Sequence, residues 1–230
     1  MIRFNRALAA RDYRETAANG ARAAGADKNS RTRTIVRDSC DMNPAARPPA
    51  IICDVDGTLC DVRNIRHHVE RPAGVQGFRP NFALFHAASE DCPAFSHVVQ
   101  LTTNFERDGY AIVVVTAREA RWTDLTERWL SRHGVQRAEL FTRRALDYRS
   151  DALVKAEICS EIQSRYVPHL AIDDRDDILA VWTAASIPTI KIDQTGFPSS
   201  VSWPSAAHDD RLGAVVEAVR RTRATDVAAR

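Results

Sequence analysis

The apolar run Ile51-Ile52-Cys53 passes without a break into Asp54-Val55-Asp56-Gly57-Thr58-Leu59, placing two carboxylates one residue apart where a buried strand ends. The Gly-Thr pair then turns the chain away. From this junction onward the pattern alternates. Strands are expected over 50–54, 111–115, 138–142, 169–173 and 188–192, and helices over 94–108, 119–133, 151–165 and 175–186. Gly134 closes the second of these helices. Strands alternating with helices specify an α/β domain with a doubly wound, mostly parallel sheet.

The 230 residues suit one such domain with extensions. Residues 1–47 carry ten Arg or Lys against five Asp or Glu and show little apolar periodicity, so they read as a basic, flexible N-terminal arm. The core is expected over 48–195, with an irregular insert at about 60–92. Residues 196–230 read as a Pro/Ser-rich linker and a terminal helix whose stripe is Leu212, Val215, Val216 and Val219. No apolar run reaches the roughly 20 residues that cross a bilayer, and the N-terminus has no continuous apolar segment of a secretory signal. Five cysteines without paired metal spacing read as reduced thiols of a cytoplasmic protein.

In open α/β sheets, ligands bind beyond the carboxyl ends of the strands. The chain puts its polar motifs there. Asp54 and Asp56 follow the first strand, Thr116-Ala117-Arg118 the second, and Asp173-Asp174-Arg175 the strand Leu170-Ala171-Ile172. Lys155, one of only three lysines, lies in the first turns of the preceding helix, four residues after Asp151. Thr116 and Glu119 have the spacing of a capping box, and a helix start after a strand is also an anion site. Arg118 is a candidate fork for phosphate oxygens. Lys155 is the cation that neutralises a nucleophile and a phosphate, with Asp151 orienting it. The adjacent acids Asp173 and Asp174 repel one another unless a cation sits between them. Mg²⁺ held with Asp54 and the backbone carbonyl of Asp56 meets that need.

In this order, Asp54-x-Asp56-Gly57-Thr58, Thr116, Lys155 and Asp173-Asp174 resemble the four motifs of the haloacid dehalogenase superfamily, over roughly residues 50–193. The second acid, Asp56, points to the phosphatase side of that superfamily. Val113-Val114-Val115-Thr116-Ala117-Arg118, Asp151-x-x-x-Lys155 and Ala171-Ile172-Asp173-Asp174-Arg175, with Trp182 on the next helix, are similar to the 3′-phosphatase domain of the phage polynucleotide kinase/phosphatase family. The resemblance implies a Rossmann-like fold and an arginine shortly after the first motif, for which Arg66 is preferred over Arg63. It implies that Asp54 forms an aspartyl phosphate and that Asp56 acts as general acid, then base. By the family's usual arrangement Asp174 is the direct metal ligand and Asp173 supports it. No G-x-x-x-x-G-K-[ST] loop occurs in the sequence, so a kinase activity would need a separate kinase partner chain, and a ligase partner is equally open.

Between Thr58 and Thr116 there are 57 residues, but only 17 between Lys155 and Asp173, already filled by a helix and a strand. The site therefore carries at most a small cap, open enough for a polymer end. Arg63, Arg66, His67, His68 and Arg71 form a candidate basic rim. The expected activity is Mg²⁺-dependent removal of 3′-phosphate from a phosphorylated nucleic-acid end. The alternatives are a phosphatase of a nucleotide or other small phosphomonoester, and a non-catalytic module that binds nucleic-acid ends.

Overall fold

A computed structural model describes residues 47–204, together with Gly213. Residues 1–46 of the basic arm, Cys40 among them, and the expected terminal-helix stripe lie outside the described residues. Six strands form one sheet: β1 (Pro49–Asp54), β2 (Ala111–Glu119), β3 (Glu139–Arg143), β4 (Val167–Asp173), β5 (Thr189–Ile192) and β6 (Pro198–Ser202). Their order is β3-β2-β1-β4-β5-β6. The first five strands run parallel, and β6 closes the edge antiparallel to β5. This is the doubly wound, mostly parallel sheet that the strand–helix alternation specifies.

Successive side chains of a strand point to opposite faces, so a strand covered on both faces needs apolar residues at every position. β1 meets that requirement. Ile51 and Cys53 join one core with Val98, Leu101 and Phe105 of α2 (Ser96–Arg107) and Trp129 and Leu130 of α3 (Thr123–Arg132). Ala50 and Ile52 join the other, with Val154, Ile158 and Ile162 of α4 (Asp151–Arg165) and Ile178 and Trp182 of α5 (Asp176–Ala184). β1 lies between β2 and β4, in a register that pairs Asp54 with Val115 and Cys53 with Ile172. The chain runs outward from β1 through β2 and β3, then returns through α4 to start the other half at β4. The crevice at this reversal is where such sheets bind ligands.

Three local expectations change. β2 does not end at Val115 but continues through an irregularity, with Glu119 pairing with Arg143, before a 3₁₀ turn at Ala120–Trp122. Thr116 and Glu119 are therefore strand residues and make no capping box, and α3 begins at Thr123. The stretch after β5, expected as a linker, contains β6. Its Pro198 is tolerated because a proline at the start of an edge strand removes no central ladder bond. The insert holds a 3₁₀ turn at Arg63–His68 and a short helix, α1 (Phe82–Ala88), capped by Asn81, whose side chain accepts the Leu84 N–H at 2.9 Å.

Cys53, Cys60, Cys92 and Cys159 are buried free thiols. No helix among the described residues is long and apolar enough to cross a membrane. Trp129 ties α3 to the insert by donating its indole N–H to the Cys92 carbonyl at 2.8 Å, with its ring wholly buried. Trp129→Ala should cost about 3–5 kcal/mol, read as a lower urea midpoint at unchanged slope.

Candidate active site

The carboxyl ends of β1, β2 and β4 open onto a cleft of about 820 Å³ lined by Asp54, Asp56, Thr116, Lys155 and Asp174. The Lys155 ammonium, buried from the first turns of α4, donates to Asp54 Oδ1 at 2.6 Å and to Asp173 Oδ2 at 2.8 Å. The two acids are neighbours because β1 and β4 pair in parallel, with Cys53 beside Ile172. Burial alone would pull the Lys155 pKa down, but Asp173 and Asp54 outweigh it and hold the amine above its usual value. Asp54 is pushed well above the ordinary carboxylate range, first by burial and then by Asp173 and Asp174, with Lys155 opposing. Thr116 is buried beside them, and its hydroxyl accepts the Arg118 N–H at 3.3 Å.

Asp56 has a different environment. The Arg118 guanidinium grips its carboxylate with two bonds, Nε to Oδ2 at 2.9 Å and Nη2 to Oδ1 at 2.6 Å, and spends Nη1 on Thr126 at 3.1 Å. Burial would raise the Asp56 pKa, yet Arg118 prevails and holds it below the usual range. Two acids one residue apart thus sit on opposite sides of their ordinary value. The expectation that Arg118 reaches for phosphate meets a different geometry. The side chain is fully buried against Asp56, because β2 continues to Glu119 and carries Arg118 inward.

Asp151 also takes another partner than expected. It does not bond Lys155; Arg143 and Arg175 each donate to one of its oxygens while Lys155 points inward. Of the two insert arginines, Arg66 turns to the site and donates to Asp174 Oδ2 at 3.2 Å, whereas Arg63 pairs with Asp61 at 2.6 Å. From the candidate basic rim Arg66 lines the cleft and Arg63, His67, His68 and Arg71 do not. Arg143 went unnoticed in the sequence. The signal for it was a cation closing the run Leu140-Phe141-Thr142, and it is buried to organise the β3–α4 loop.

Oxygens of Asp54, Asp173 and Asp174 lie within 4.8 Å of one another, a set suited to a hard divalent cation. Asp174 Oδ1 is buried with no hydrogen-bond partner among the described residues. Such an acceptor is costly when empty, and metal coordination would remove that cost. The Asp174 pKa is raised by burial and by Asp173, with Arg66 opposing, the same unresolved crowding of negative charge. The donor set fits Mg²⁺.

A parallel α/β sheet with this acid–lysine–acid cluster at its switch point defines a phosphatase of the haloacid dehalogenase superfamily. Residues 48–197 match the model of the polynucleotide kinase PNKP phosphatase domain. The chain belongs to that family, and it hydrolyses phosphoesters. Among solved structures it is similar to a chain of the Pnkp1/Rnl/Hen1 complex, at 25% identity and a TM-score of 0.53, covering 65% of this chain and 47% of that one. A chain of the Pnkp1/Rnl/Hen1 RNA repair complex aligns at 25% identity and a TM-score of 0.52, covering 64% and 43%. The aligned part is thus less than half the length of those chains. No curated protein matches the sequence.

Gly57 follows Asp56 at φ +92°, and a Cβ there would run into the Asp174 carboxylate and meet Arg66 Nη2 at 3.0 Å. A left-handed turn packed this closely requires glycine. Gly57→Ala should lower phosphatase kcat/KM by about 100-fold or more, since a displacement near 1 Å at a positioned site costs that much. Phosphate release assayed beside a circular-dichroism melt checks this.

Proposed function

We propose that the protein removes the 3′-phosphate from polynucleotide ends by Mg²⁺-dependent hydrolysis through an aspartyl phosphate. The observation that carries this reading is the unlike treatment of the two acids of one hexapeptide. Asp54 is set on the cleft floor beside Lys155, and Asp56 is held apart by Arg118.

Asp54 attacks phosphorus and the ester bond breaks, leaving phosphate on its carboxylate. Asp56 gives a proton to the departing oxygen, then takes one from the water that cleaves the acyl phosphate. Arg118 holds the Asp56 pKa low, which favours that second, proton-abstracting half; for the first half Asp56 takes up a proton from solvent, and the water that cleaves the acyl phosphate restores it. Lys155 holds Asp54 in line and offsets the charge of the phosphoryl oxygens, and the Thr116 hydroxyl stands at the same cleft floor. Asp54, Asp173, Asp174 and the backbone carbonyl of Asp56 would hold Mg²⁺, which when bound supplies further neutralisation of phosphoryl charge. Arg66 positions Asp174, and Asp151 positions Arg143 and Arg175 at the cleft edge.

The polynucleotide assignment rests on the family match and on a lightly covered cleft, since the regular structure of the insert is two short 3₁₀ turns, Arg63–His68 and Ser89–Asp91, and α1.

A panel tests the reading: a 3′-phosphorylated oligonucleotide and a set of mononucleotides, each with EDTA and with Mg²⁺ restored. Mg²⁺-dependent release favouring the oligonucleotide is expected. Strong preference for mononucleotides would replace it with a small-nucleotide phosphatase. Binding of nucleic acid with no release from any monoester would leave an end-binding module.

Arg118→Gln separates the two half-reactions. Without the guanidinium, burial raises the Asp56 pKa and weakens it as a base, so the aspartyl phosphate should accumulate. Rapid-quench labelling should show a burst of bound phosphate followed by turnover reduced by roughly 10²-fold.

A further inference from the structure

The cleft exceeds what a phosphoryl group fills, and two aromatic rings from separate segments stand on it largely in solvent. Phe82, the first residue of α1, is 56% exposed, and Tyr148, in the loop between β3 and α4, is 85% exposed. A single exposed aromatic is ordinary. Two lining the same cleft as the Asp54 nucleophile are a ligand surface.

The loop that carries Tyr148 is held in shape. Arg143, buried at the end of β3, donates to the Asp147 and Arg149 carbonyls at 2.9 and 2.8 Å and to the Ala117 carbonyl at 3.1 Å. The Asp147 carboxylate in turn accepts from the Arg149 N–H at 3.1 Å and Nη2 at 2.7 Å. Leu146 is held at φ +62°, a conformation a leucine adopts only when its surroundings impose it. Tyr148 lies between the two carbonyls anchored by Arg143. The fold therefore presents this ring to the cleft instead of burying it.

Charge adds a second observation. Arg66, Arg143, Arg149 and Arg175 line the cleft, and each is ion-paired to a carboxylate of the protein. Arg79 lines it too, three residues before Phe82, and has no hydrogen bond or ion pair among the described residues. Its charge is available to an anion brought by the ligand.

We propose that Phe82 and Tyr148 form a stacking site for the nucleobase of the 3′-terminal nucleotide, and that Arg79 contacts the phosphodiester joining it to the rest of the strand. This deepens the polynucleotide reading above and rests on it. Every base has a π-face, so stacking recognises a nucleotide without selecting its sequence. An enzyme that cleans ends of any sequence needs that property. Phosphoryl binding at Asp54 is left independent of the base.

The test compares wild type with Phe82→Ala, Tyr148→Ala, Tyr148→Phe and Arg79→Gln on three esters. These are a 3′-phosphorylated ten-residue oligothymidylate, the same strand ending in a 3′-phosphorylated abasic tetrahydrofuran, and thymidine 3′-monophosphate. In either alanine variant the ratio of kcat/KM for the base-ended over the abasic-ended strand should fall about 5- to 50-fold, chiefly through KM. Tyr148→Phe, which keeps the ring, should retain the wild-type ratio. Arg79→Gln should reduce the preference for the strand over the mononucleotide and flatten its dependence on salt. An unchanged base-to-abasic ratio in both alanine variants of an active enzyme overturns the stacking site and leaves the phosphatase reading intact. Wild-type protein that releases phosphate from none of the three esters overturns both.

Discussion

The site depends on an ammonium group buried between two carboxylates. Lys155 is almost wholly buried, which by itself lowers its pKa, and Asp173 and Asp54 outweigh that effect. Removing Lys155 would leave two buried carboxylates without their shared cation, a defect that typically costs several kcal/mol. The constraint reaches into the fold. β1 and β4 must pair in parallel and in one register for the two acids to flank the amine, and α4 must cross the sheet so that its first turns face their ends.

Arginines complete the arrangement by taking up the other carboxylates. Arg118 closes on Asp56, Arg66 on Asp174, and Arg143 with Arg175 on Asp151. The result is a set of acids with distinct electrostatic states within a few residues of sequence. Asp54 and Asp174 are crowded and short of positive charge, the condition a divalent cation relieves, whereas Asp56 is fully compensated by protein. Identical side chains differ in this way because their surroundings differ, not their chemistry.

Around this rigid floor the walls are lighter. The insert after β1 adds a 3₁₀ turn and a two-turn helix, and the β3–α4 loop adds a short segment wound on Arg143. Neither closes over the cleft as a domain would. Their exposed rings and Arg79, unpaired among the described residues, are why the proposed recognition of a ligand falls on the walls and not on the floor.

The fold was legible because its strands are buried on both faces. Ile51-Ile52-Cys53, Val113-Val114-Val115 and Leu170-Ala171-Ile172 are continuous apolar runs, which a two-sided parallel sheet requires, and polar motifs follow each. Asp54, Lys155, Asp173 and Asp174 could be named for the same reason: a strand end or helix start is a local property. Partners are not. Nothing in the order of residues says that Arg118 turns inward to Asp56 or that Asp151 holds Arg143 and Arg175 instead of Lys155. Those choices belong to a bulged β2 and to which guanidinium packs nearest. The edge strand β6 was hidden by its Pro and Ser content, since an edge needs ladder bonds on one side only. Local pattern thus determined the sheet and the acids at its rim. Which charge compensates which, and which aromatic rings stay in water, was decided only when segments up to about a hundred residues apart met, as Asp54 and Lys155 do across 101 positions. Electrostatic pairing depends on distance in space, and distance along the chain does not encode it.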